Sequence, residues 1–230
     1  MKRLLLLSVC MVAGGLAVRA ADVGDPIFPV DMNDKARAEL IYEHLRHDMD
    51  NKGPGDAVQK LNADTYTARL HTDVGKQAYL DFDLGGMNPS GGDFGFYGGV
   101  GLRMLMLDEP SWRMSGVLQG HYAPSLSGKV GGTKNAGYHL WDADAALLLS
   151  GKLPIDQQMI IVPYAGPAMS LIRLDGHDSA DHSIKVSEDE KSPIGAVVGV
   201  ALRLPANNSF RIEGRYFGGS FERDVFLDIS

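Results

Sequence analysis

"FYGGVGLRMLM", Phe96 to Met106, decides how this chain reads. Phe96, Gly98, Val100, Leu102, Met104 and Met106 share one parity, and Tyr97, Gly99, Gly101 and Arg103 share the other. Side chains alternate faces along a strand, so the stretch reads as a strand with one apolar face and one small or polar face. Its glycines argue against a helix. What remains is to decide what lies against each face.

The same period continues on both sides. Ala78, Leu80, Phe82 and Leu84 alternate with Tyr79, Asp81 and Asp83. Trp112, Met114, Leu118 and Tyr122 alternate with Arg113, Ser115, Gln119 and His121. Trp141, Ala143, Leu147 and Leu149 alternate with Asp142 and Asp144. Val198, Val200 and Leu202 alternate with Gly199 and Arg203, and Phe210, Ile212 and Tyr216 with Arg211, Glu213 and Arg215. Counting from Lys76, eight strands are predicted, near 76–84, 93–107, 111–123, 138–150, 158–174, 193–204, 207–218 and 221–229. Connections alternate between short ones, such as Asp108 to Ser111, and long ones, such as Pro124 to Gly137 and Asp175 to Ser192. Short turns on one side and long loops on the other are the organisation of a transmembrane β-barrel. The fold expected is therefore all-β, an eight-stranded antiparallel up-and-down barrel over 76–230. A further β-like run, Tyr66 to Thr72, leaves the count near 66–72 open, as the tail at 221–230 also does.

A soluble barrel turns its apolar face inward, and a membrane barrel turns it toward lipid. Three features favour lipid. Trp112 and Tyr122 bracket one apolar face ten residues apart, roughly 25 Å of height at a tilt near 40°. Trp141 and Tyr216 complete the expected aromatic girdle. On the opposite parity, Arg103, Arg113, Arg203, Arg211 and Arg215 face Asp81, Asp83, Asp142, Asp144 and Glu213, five charges of each sign. Buried charges must pair, so these ten, with Tyr97 and Gln119, are the expected lumen residues. Inward Gly95, Gly99, Gly101, Gly195 and Gly199 leave room there for long side chains.

Composition sets the bounds. The chain has 230 residues and a net charge of −7, which gives no sign of nucleic-acid binding. Lys2 and Arg3, the apolar run Leu4 to Val18, and Val18-Arg19-Ala20 read as a secretory signal over 1–20. The only cysteine, Cys10, falls inside it, so no disulfide is expected afterwards. Residues 21–75 read as a periplasmic segment. Ala38, Ile41, Leu45 and Met49, behind Asn33 or Asp34 as cap, predict a short amphipathic helix near 34–50. His44 and His47 would share a face of it, read as solvated rather than metal-binding.

"VPYAGPAMSLIRL" (Val162 to Leu174), "RIEGRYFGG" (Arg211 to Gly219) and "FYGGVGLRM" resemble strands of the small outer-membrane β-barrels of Gram-negative bacteria, the OmpA-like and OmpW-like group. The resemblance covers roughly Lys76 onward. It implies residence in the outer membrane, contact with its lipid and lipopolysaccharide, and delivery by the barrel-assembly machinery. No peptidoglycan-binding domain and no cofactor are expected. One departure is the tail "ERDVFLDIS", where Phe226 stands four residues from Ser230, while such barrels usually end on an aromatic.

Some barrels of this size modify lipid A. Their chemistry needs His, an acid and Ser at the external rim, and His121, Ser125, Ser127 and Asp142 are the nearest set. The spacing of His121 and Ser125 does not fit the deacylase pattern. "DGHDSADH" (Asp175 to His182) matches no cation loop and reads as a solvated acidic loop. The leading expectation is a structural or interaction barrel, or a narrow pore, without catalysis. A lipid A-modifying enzyme and a soluble periplasmic binding barrel are the alternatives.

Overall fold

The computed structural model describes residues 36–51, 59–75, 77–90, 92–130, 133–156, 159–178, 185–190, 193–204, 209–217 and 227–229. The expected signal and Cys10 lie outside them. The long strands are β1 (Ala36–Asn51), β2 (Gln59–Asp73), β3 (Ala78–Pro89), β4 (Gly95–Asp108), β5 (Trp112–Val130), β6 (Thr133–Gly151), β8 (Ile160–Asp178), β10 (Ile194–Arg203) and β11 (Ser209–Phe217). Short ones are β7 (Leu153–Pro154), β9 (Lys185–Glu190) and β12 (Leu227–Ile229). Every pairing among the described residues is antiparallel, in the order β11-β10-β8-β6-β5-β4-β3-β2-β1-β12. β7 pairs β8, and β9 pairs both β8 and β1. The result is one curled up-and-down sheet.

Two sequence expectations are corrected here. No helix occurs among the described residues; the predicted helix near 34–50 is strand β1, paired with β2 from Ala36↔Thr72 to Met49↔Gln59. Ile41, Leu45 and Met49 lie four apart, and four is an even number, so the spacing fits one strand face as well as a helix stripe. Glu39 and Glu43 share their parity and are buried with them, which a helix face would not arrange. The count of eight from Lys76 also falls short. The sheet starts at Ala36, and β1 and β2 precede the first strand expected. Tyr66 to Thr72 belongs to β2, which pairs β3 from Ala63↔Pro89 to Asp73↔Tyr79.

Strands also run further than expected. Pro124 to Gly137, read as a loop, is mostly the continuation of β5 and β6, which meet as far out as Val130↔Thr133. The ladder shifts register between Ala123 and Leu126. Pro124 sits in that shift, where its missing N–H costs no ladder bond.

The period of two sorts the side chains, and burial shows which face is which. On one face Leu84 (71%), Phe96 (74%), Val100 (58%), Leu118 (56%) and Ile194 (75%) remain exposed. On the other, Asp81 (0%), Arg103 (2%), Arg211 (1%) and Glu213 (1%) are buried. The concave side carries the charges, and the convex side carries large apolar groups.

Candidate functional site

The concave face is layered. On β5, moving outward from the Asp108–Ser111 turn, Val117 precedes Gln119 and His121, and Ala123 and Leu126 follow. On β6 the same order is Leu148, then Asp144 and Asp142, then Leu140 and Tyr138. Val117, Leu148, Tyr164, Ala168, Val197 and Phe217 form one apolar cluster. Leu45, Met49, Leu61, Met87, Tyr97, Leu126, Tyr138, Leu140 and Leu174 belong to a second. On these strands a polar belt lies between the two clusters.

Within the belt, carboxylates of β3 are the hubs. Arg69 donates two hydrogen bonds to Asp83, at 2.7 and 2.6 Å. His121 Nε2 lies 2.8 Å from the same carboxylate, and its Nδ1 lies 2.8 Å from Asp142. Asp81 receives Arg103 at 2.5 Å and faces His71 Nδ1 at 2.6 Å. The other nitrogen of His71 lies 2.8 Å from Glu39. Further round, Gln119 donates to Asp144 at 3.1 Å, Arg215 lies 3.8 Å from Asp144, and Tyr164 donates to Glu213 at 2.6 Å. Thr65 donates to Glu43 at 2.8 Å. Register makes these meetings: Arg69 is opposite Asp83, and His71 is opposite Asp81.

The expected lumen residues are placed as follows. Asp81, Asp83, Tyr97, Arg103, Arg113, Gln119, Asp144, Arg211, Glu213 and Arg215 are buried, while Asp142 and Arg203 are half-buried. Tyr97 stacks on His121 with ring centres 4.8 Å apart. Arg113, also buried, donates to Asp108 of the turn at 2.6 Å. Of the expected girdle, Tyr122 and Trp141 are exposed cross-strand neighbours, Trp112 is exposed at the other end of β5, and Tyr216 is exposed on β11. Tyr42 and Tyr66, with ring centres 5.2 Å apart, add an aromatic pair that sequence reading missed. It also missed Glu39, Glu43, Thr65 and Arg69, whose signal was the alternation within β1 and β2.

The glycines answer the opening stretch. A Cβ at Gly99 would overlap the His121 ring, and one at Gly199 would overlap the Tyr164 ring. Small residues on this face thus make room for rings from the neighbouring strand. Gly99→Ala is expected to displace His121 and cost about 1–3 kcal/mol, read as a lower urea midpoint with unchanged slope.

The turn beyond the exposed apolar stretch holds its own cluster. Lys152 and Arg113 both donate to Asp108, at 2.7 and 2.6 Å. Partial burial works to raise the Asp108 carboxyl, but the bonds from Lys152 and Arg113 outweigh it and hold the group below its ordinary value. A depressed carboxyl adds stability above its unfolded value, about 3.9, and loses it as pH falls further. Acid below about pH 4 should therefore loosen this turn. Asp108→Asn should remove that part of the acid dependence, at a cost of about 1 kcal/mol or less near neutrality.

Chemically the site is occupied by its own pairs. Both His121 nitrogens face carboxylates, those of Asp142 and Asp83. Ser125 is exposed, and Ser127 donates to Asp93 at 2.9 Å. His44 lies 2.7 Å from Asp64. Among the described residues no group of three or more His, Cys, Asp or Glu side chains is placed to hold a metal. Of "DGHDSADH", Asp175 accepts from Arg173 at 2.7 Å, and 179–182 lie outside the described residues. No protein-family model matches the chain, and no curated protein matches it.

Proposed function

We propose that the curled sheet closes into a barrel that spans the outer membrane of a Gram-negative bacterium, and that it serves there as a sealed structural or interaction module. One observation carries the reading. Large apolar groups stay exposed on the convex side, while the concave side buries charges between two apolar clusters. Water gives no reason for that sorting, and hydrocarbon does. Closure is supported by β9, which pairs β8 at Arg173 to His177 and β1 at Met49 to Asn51. It is also supported by β12, which pairs β1 at Leu40 to Tyr42. With β12, the nine long strands make an even set, as single-chain barrels of this kind require.

The interior favours a sealed module over a pore. The cavity lined by Glu43, Arg69, Asp83, Tyr97, His121 and Asp144 has a volume of about 20 Å³, room for roughly one water. On β5 and β6 apolar clusters lie on either side of it. Partners on this reading are membrane lipid and lipopolysaccharide around the wall, the assembly machinery, and whatever meets the external loops.

The test is fractionation after expression in a Gram-negative host, followed by gel electrophoresis with and without boiling. Outer-membrane recovery with a heat-dependent mobility shift is the expected result. Recovery in the soluble periplasm without a shift would overturn the membrane reading.

A further inference from the structure

Two histidines in the belt share one arrangement. His71 lies between Glu39 of β1, an ion-pair contact at 2.8 Å, and Asp81 of β3, a hydrogen bond at 2.6 Å. His121 is held between Asp83 of β3 and Asp142 of β6, at 2.8 Å each. Both rings are buried. An ionised carboxylate only accepts hydrogen bonds, so a ring between two of them satisfies both when each nitrogen carries a hydrogen. That form is the imidazolium.

The packed surroundings carry charges of both signs. Arg103 of β4 occupies the other oxygen of Asp81, and Arg69 of β2 occupies Asp83. Tyr97 of β4 stacks on His121. Glu43 of β1, Asp144 of β6 and Arg215 of β11 line the same cavity as His121. Arg113 is engaged at the turn, so among the described residues of the belt Glu39, Asp81, Asp83, Asp142, Asp144 and Glu213 stand against Arg69, Arg103, Arg211 and Arg215. Two imidazolium ions reduce that acidic excess.

We propose that His71 and His121 are paired proton-dependent latches: as imidazolium ions they tie β1, β3 and β6 across the concave face, and loss of their protons releases it. The proposal rests on the sealed-barrel reading for its consequence, since the released face is the one that closes the lumen. A neutral ring turns one lone pair toward a carboxylate, and that contact becomes repulsive. Each latch then lowers the ratio of folded to unfolded protein by up to about tenfold per pH unit as alkali strips it.

The test uses the full chain refolded in detergent micelles with nitrogen-15-labelled histidine. The chain has 7 histidines. At about pH 8, where a solvated ring has given up its proton, two rings should show both nitrogens protonated. One signal should vanish in His71→Gln and the other in His121→Gln. Across rising pH, the heat-shifted folded band should fade, and less steeply in either variant that folds. Neutral rings throughout, in protein that still shows the folded band, would overturn the latches, whether or not a variant folds. Soluble recovery without a band shift would count against the membrane reading alone, because the ring signals judge the latches independently.

Discussion

Val100→Arg is expected to prevent accumulation of the folded protein in membranes. Val100 is exposed on the convex face, between Phe82 of β3 and Gly120 of β5. If that face meets acyl chains, an arginine near the bilayer middle costs about 2–4 kcal/mol, a large share of a typical stability of about 5–15 kcal/mol. The heat-shifted band should weaken or vanish, and the chain should be degraded or trapped in the periplasm. On a soluble protein the same exposed position would tolerate arginine within about 0.5 kcal/mol. The two readings of the convex face thus differ at one side chain, and normal folding of this variant in bilayers would exclude the lipid-facing assignment.

Asp83→Ala should have the second large effect, on the opposite face. It removes both bonds from Arg69 and one of the two carboxylates around His121. Breaking a buried pair strands the remaining charge, which costs about 3–5 kcal/mol. Urea unfolding followed by the heat-shift gel would show this as a lower midpoint. Replacing both members, as in Arg69→Met with Asp83→Leu, should recover part of the loss, because Arg69 is then no longer stranded, while His121 keeps only Asp142. A double variant as weak as Asp83→Ala would mean that the position matters through packing, not pairing.

The all-β antiparallel fold and the sorting of the two faces from Lys76 onward were legible because a period of two needs only the local sequence. Tyr97, Arg103 and Val100 fall on their faces by parity alone. β1 was not legible. A spacing of four between Ile41, Leu45 and Met49 fits both periods, and the decisive fact, that Glu39 and Glu43 are buried beside them, depends on partners elsewhere in the chain. The pairing of charges was beyond local reading for the same reason. Asp83 meets Arg69 from 14 residues before it and His121 from 38 residues after it. Only register brings them together. Equal counts of charge on one parity suggested pairing, but could not name Arg69, Glu39 or the histidines.

The layering of the concave face bears on ionic strength. Mobile ions weaken an electrostatic contact when they can come between its partners. Around Asp83 and His121 there is room for roughly one water, and both side chains are buried, so counter-ions have little room between the partners. Salt that shortens the screening length to about 3 Å, near 1 M, should leave the belt nearly untouched. The same salt should loosen Arg173 from Asp175, where both side chains are over 40% exposed. The molecule carries two populations of charge: a buried one that holds the sheet together, and a peripheral one that follows the composition of the medium.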